Sequence, residues 1–141
     1  MNDRPDWDSY FLGIATAVSA RADCTRRKVG ALIVWDNKIW ATGYNGTPYS
    51  GQPGCLEGAC PRGKKSFDEL PAYAPYHDCI SVHAEVNAIK QFRESKPYIN
   101  ITRPKAIPTV YVTDQPCDEC FGIITRLRMS LRYPNGGFSL L

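Results

Sequence analysis

Two short stretches of the chain combine the residue types that hold a metal and move protons. The first is His83-Ala84-Glu85 and the second is Pro116-Cys117-Asp118-Glu119-Cys120. One imidazole and two thiolates fill three positions of a tetrahedral zinc, and a catalytic zinc commonly leaves its fourth position to water. Cys-x-x-Cys spacing brings two sulfurs to one metal. At a helix N-terminus, backbone N–H groups also help to hold those thiolates ionised. Glu85 need not be a ligand; beside a metal-activated water it can accept the proton and pass it to a substrate. Taken singly, neither stretch is specific. Cys-x-x-Cys also serves as half of a structural zinc site or as a redox pair, and His-x-Glu alone carries little information. The main competing reading of the pair is a purely structural zinc domain, which has no use for Glu85.

The elements that must position these residues follow from periodicity and turn signals. Tyr10, Phe11, Ile14, Ala17 and Val18 recur at helical spacing, so a helix is expected over about 7–22, with Asp6 or Asp8 as its N-cap. Two apolar, β-branched runs around Asp36-Asn37 predict a hairpin, 29–35 with 38–43. A helix over about 83–94 then carries His83 and Glu85, a strand covers 109–113, and a helix over 118–129 starts at the cysteine pair. A short strand at 130–133 and a turn at 134–137 close the chain. Helices alternating with strands argue for a layered α/β domain. A single domain over 1–141 is expected, interrupted by a long loop at about 44–80 rich in Gly, Pro, Tyr, Ser and Cys. A loop this long inside a compact domain calls for a function or a cross-link.

Composition bounds the partners. The chain has 141 residues, 43% hydrophobic and 22% charged, with a net charge of +3. That is enough to bury a core and too little charge for wrapping a nucleic acid. A small anionic substrate needs only a few local cations. No apolar run approaches the roughly 18 residues of a membrane span, and the acidic, polar N-terminus is unlike a signal peptide. A cytoplasmic protein without membrane or nucleic-acid partners is therefore expected.

The chain resembles the deoxycytidylate (dCMP) deaminase family of the cytidine deaminase superfamily. The resemblance is carried by Cys24-Thr25-Arg26-Arg27-Lys28-Val29-Gly30-Ala31, Gly43-Tyr44-Asn45-Gly46-Thr47-Pro48, His83-Ala84-Glu85-Val86-Asn87-Ala88-Ile89 and Pro116–Cys120. His-x-Glu with Pro-Cys-x-x-Cys is the signature of zinc nucleobase deaminases, and the Gly-Tyr-Asn-Gly-x-Pro segment favours dCMP among their substrates. The resemblance implies a three-layer α/β fold, a mixed central sheet flanked by helices, in a homo-oligomer, often a hexamer. It implies hydrolysis of dCMP to dUMP in pyrimidine metabolism, supplying dTMP synthesis. Zinc would sit on His83, Cys117 and Cys120, with Glu85 catalytic. Arg26, Asn45, the backbone of Ala84 and Pro116 would contact the nucleotide. The dCTP and 5-modified dCMP deaminases are alternatives, and tRNA adenosine deaminases share the metal signature. The residue chemistry agrees: an Arg fork suits a phosphate, and an Asn amide suits a sugar hydroxyl. Asn45 could instead simply occupy a left-handed turn before Gly46. Arg27 and Lys28 could be a solvated basic patch.

Four cysteines remain, Cys24, Cys55, Cys60 and Cys79, with His77 beside the last. Some members of the family carry a second, structural zinc built from these regions. A set of Cys24, Cys55, His77 and Cys79 would close such a site, with Cys60 able to replace one of them; buried free thiols are the alternative. The family also shows activation by dCTP with Mg2+ and inhibition by dTTP, which the resemblance places near Gly43, Tyr44 and Gly46.

Overall fold

A computed structural model describes residues 3–47, 53–59, 81–95 and 107–140. Helix α1 spans Trp7–Ser19, strand β1 Gly30–Trp35, strand β2 Lys38–Tyr44, helix α2 Ala84–Glu94 and strand β3 Thr109–Val112. Helix α3 spans Asp118–Arg126, followed by strands β4 (Ser130–Tyr133) and β5 (Gly136–Phe138). The strands form one mixed sheet in the order β2-β1-β3-β4-β5. Only β3 and β4 run parallel, joined through α3; the other neighbours are antiparallel.

Strand alternation sorts the core into two faces. Leu32, Val34 and Tyr111 point to one side and pack with Phe11 and Ala15 of α1. Ala31, Ile33, Trp35, Val110, Val112 and Leu131 point to the other and pack with Ala84, Ala88, Ile89 and Phe92 of α2 and Ile124 of α3. Every residue of β1 is buried, as a central strand covered on both faces requires. The result is the expected three layers, with α1 on one face and α2 and α3 on the other. Asp8 latches α1 to the sheet by accepting the Tyr111 hydroxyl at 2.7 Å. Burial first, and the Asp8 contact second, push the Tyr111 phenol above its ordinary range. Among the described residues no helix is long and apolar enough to cross a membrane.

Differences from the sequence expectations lie at element ends and in two added short elements. Helix α1 keeps its N-cap, with Asp6 accepting from the Ser9 N–H at 2.7 Å, a bond that holds the Asp6 carboxyl below its usual range. It ends at Ser19 instead of about 22, because the chain turns through Ala20–Ala22 and the Asp23 N–H goes to the Asn45 carbonyl. Asp36 and Asn37 both take left-handed backbone, φ 55° and 57°, the conformation of a two-residue hairpin turn. Helix α3 stops at Arg126 instead of 129. Arg128 turns left-handed at φ 57°, and the Arg128 and Met129 N–H groups bond back to the Thr125 and Ile124 carbonyls. The tail holds a strand that its Gly-Gly sequence conceals: Asn135 makes the turn at φ 64°, and β5 pairs back onto β4. Within the expected long loop, a short 3-10 helix occupies Cys55–Glu57.

Candidate metal and proton-transfer site

The two signature stretches arrive at one place because each begins a helix on the same face of the sheet. His83 is the N-cap of α2 and Cys117 the N-cap of α3. Cys117 follows β3 closely, so the parallel β3-α3-β4 unit sets its position at the strand's C-terminal end. His83 is fixed by a backbone bridge just before it: Gly46 N–H to Val82 C=O at 3.1 Å and Val82 N–H to Gly46 C=O at 2.7 Å.

The ligand atoms of His83, Cys117 and Cys120 lie within 4.8 Å of one another. His83 Nδ1 stands 3.3 Å from Cys120 Sγ and 3.6 Å from Cys117 Sγ. Zinc bound tetrahedrally at ordinary bond lengths separates its nitrogen and sulfur ligands by about 3.5 Å, so the donor set fits that metal. Electrostatics agree. Burial pushes the Cys120 thiol far up, and neighbouring Glu85 and Cys117 raise it further. All of these causes oppose a bare thiolate, and a divalent cation among the ligands reverses that preference. Glu85 is buried in the first turn of α2 and approaches Cys120, yet it is outside the three-ligand set. The site therefore presents three ligands with an acid–base group beside them.

Of the residues expected to contact the nucleotide, Ala84 and Pro116 flank the ligands His83 and Cys117 in the chain, while Asn45 ties the end of β2 to the basic segment of Arg26. Asn45 is buried at the end of β2; its Oδ1 accepts from the Val29 N–H at 2.9 Å and its Nδ2 donates to the Arg27 C=O at 2.9 Å. Its side chain thus clamps the basic segment, and one lone pair and one N–H remain for a further partner. Arg26 is half-buried in that segment. Arg27 is more than part of a solvated patch: it pairs with Asp114, on the loop leading to Pro116, at 2.9 Å. Both groups are about half exposed, so the pair adds little stability. Ala84 is buried at the first position of α2, where the helix leaves its N–H without an intrahelical acceptor. Pro116 is buried directly before Cys117.

Gly43, Tyr44 and Gly46 all have structural roles here. A Cβ on Gly43 would come within 2.4 Å of both the Ala84 carbonyl oxygen and the Ala88 nitrogen, so α2 rests directly on this glycine. The Tyr44 carbonyl accepts from Asn87 Nδ2 at 2.9 Å. The roles of Gly43 and Asn87 are invisible in the sequence, because both depend on which strand α2 lies across. Cys24 and Cys55 are held close together around Thr25. Cys24 Sγ accepts from the Arg26 and Arg27 N–H groups at 3.3 and 3.4 Å, and Cys55 Sγ accepts from the Thr25 N–H at 3.2 Å. Pro48, Cys60, His77 and Cys79 lie outside the described residues.

Residues 5–132 match the family model for the cytidine and deoxycytidylate deaminase zinc-binding region. The chain is 42% identical to a deoxycytidylate deaminase of Mycobacterium phage D29 over 125 residues, covering 86% of this chain and 88% of that one. It is 36% identical to the deoxycytidylate deaminase of Saccharomyces cerevisiae over 117 residues, covering 83% of this chain and only 33% of that longer protein. Its fold is similar to that of the dCMP deaminase of cyanophage S-TIM5 solved with dCMP and dUMP, with a TM-score of 0.67 and 25% identity, over 94% of this chain and 83% of that one.

Proposed function

Because the chain belongs to the cytidine and deoxycytidylate deaminase family, we propose that it is a zinc-dependent hydrolase converting dCMP and water to dUMP and ammonia. The observation that carries this reading is the convergence of His83, Cys117 and Cys120 beside the buried carboxyl of Glu85. Zinc, when bound there, supplies the Lewis acidity that makes water a nucleophile at neutral pH. Glu85 takes a proton from the attacking water and delivers it to the ring nitrogen next to the amine-bearing carbon. It then carries the second proton to the amine, which leaves as ammonia while the new carbon–oxygen bond becomes a carbonyl. The Ala84 N–H suits a pyrimidine carbonyl, Asn45 a sugar hydroxyl and Arg26 the phosphate, with Pro116, directly before Cys117, as a further nucleotide contact.

The test is ammonia release from dCMP, dCTP, deoxycytidine, cytidine and a tRNA anticodon stem. Turnover is expected for dCMP, and failure with every cytosine compound would refute the reading. Arg26→Ala should lower kcat/KM for dCMP by about a hundredfold, roughly what one or two charge-assisted hydrogen bonds contribute, and leave deoxycytidine little changed. Equal losses on both compounds would remove Arg26 from the phosphate.

The same reading includes a second, structural zinc on Cys24 and Cys55 with His77 and Cys79. Backbone N–H groups aimed at both sulfurs support it, because such donors favour thiolates. Metal analysis of the pure protein should then find about two zinc ions per chain; one would sink this part. A cytoplasmic homohexamer, with dCTP–Mg2+ and dTTP acting near Gly43, Tyr44 and Gly46, completes the reading. The Gly46–Val82 bridge supports the regulatory part, since movement at Gly46 reaches His83 directly.

A further inference from the structure

We propose that Asn87 is a positioning residue that holds the substrate-side end of β2 at a set distance from the metal ligand and Glu85. The inference rests on the deaminase reading above. Asn87 sits one turn into α2, its N–H bonded to the His83 carbonyl at 3.1 Å. Its side-chain Nδ2 donates to the Tyr44 carbonyl at 2.9 Å and, more weakly, approaches the Val82 carbonyl at 3.4 Å. Val82 immediately precedes the ligand His83, and Tyr44 immediately precedes Asn45. One amide group therefore spans the two chain segments between which the nucleotide must fit. The Gly46–Val82 bridge lies next to it and shares the Val82 carbonyl as an acceptor.

The chemistry requires a carboxamide. Both neighbours are carbonyl oxygens, so the nitrogen must face them, and two N–H groups on a short planar fork satisfy both at once. An aspartate of the same shape would set a charged oxygen against two carbonyl oxygens. One turn further along α2, Gln91 Oε1 accepts from the Thr42 N–H at 2.7 Å. The two amides thus hold α2 to the open edge of β2 by side-chain bonds, on either side of the close packing at Gly43. Asn87 is the one of the pair that also reaches the residue before the metal ligand.

The test uses the zinc-loaded full chain carrying Asn87→Asp. The expected result is catalytic zinc retained, KM for dCMP raised roughly tenfold or more with a smaller fall in kcat, and lost hydrogen-exchange protection at the Gly46 and Val82 amides. A merely structural role would lower Tm without moving KM or singling out those two amides. An unchanged KM, or unchanged protection at both amides, overturns the proposal. Should the aspartate variant fail to fold, Asn87→Ala removes the donors without adding charge and is judged by the same measurements. If the wild-type protein does not turn over dCMP, the deaminase reading has failed, and the exchange comparison still decides whether Asn87 holds this segment.

Discussion

Glu85→Gln is expected to lower kcat for dCMP by about a thousandfold while the protein keeps its catalytic zinc. The side chain is buried, so the substitution preserves shape and removes only the ability to accept and return a proton. General acid–base catalysis contributes typically 10²–10⁴-fold, and the proposed mechanism would use Glu85 twice in one turnover, once on the ring nitrogen and once on the leaving amine. Because this assistance is made only in the transition state, kcat and kcat/KM should fall together. The metal should stay, since the three converging ligand atoms belong to His83, Cys117 and Cys120. Steady-state kinetics with metal analysis of the same preparation checks both halves. A variant within about tenfold of wild-type kcat would remove Glu85 from the proton path.

The second large effect is steric. Gly43→Ala places a methyl group 2.4 Å from two backbone atoms of α2, in the turn that carries Glu85. Backbone atoms in a helix cannot move aside singly, so α2 must shift as a body or β2 must bend. Overpacking of this kind costs about 1–3 kcal/mol. A displacement near 1 Å at the reacting groups costs on the order of 10²-fold in rate. We therefore expect a lower Tm together with a turnover loss far larger than the stability loss alone would cause. Gly122→Ala is the matched control, because a Cβ there in α3 meets nothing within 4 Å; it should be neutral or slightly stabilising, as alanine is the better helix former. Thermal melts and dCMP kinetics on the two variants decide the matter. Full activity in Gly43→Ala would show that the first turn of α2 tolerates displacement.

Much of this was legible in the sequence where the information is local. The continuous apolar run Ala31 to Trp35 places a buried strand, and the Asp36-Asn37 pair places its turn. His83-Ala84-Glu85 and Pro116–Cys120 declare their chemistry because few other uses combine those residue types at those spacings. Local signals fail where a distant partner decides. Helix α1 ends early because Asp23 bonds to Asn45, and the Gly136-Gly137 pair reads as a turn although β4 recruits it as a strand. Asn45 reads as a sugar contact or a left-handed turn; its φ is not positive, which removes the left-handed turn, and the fold gives its side chain another role, clamping the backbone of Arg27 and Val29.

The sequence by itself determined the family and the residue types able to hold a metal and move a proton, because coordination and proton transfer are properties of side-chain chemistry that short spacings preserve. Only the tertiary structure decided that His83 and the cysteine pair meet, 34 residues apart and at hydrogen-bond-like distance, and what keeps them in place. Those supports are the bare backbone of Gly43 under α2, the amide of Asn87 across two carbonyls and the Gly46–Val82 bridge. None has a sequence signature of its own. A glycine or an asparagine acquires such a role only from the backbone that the fold brings against it.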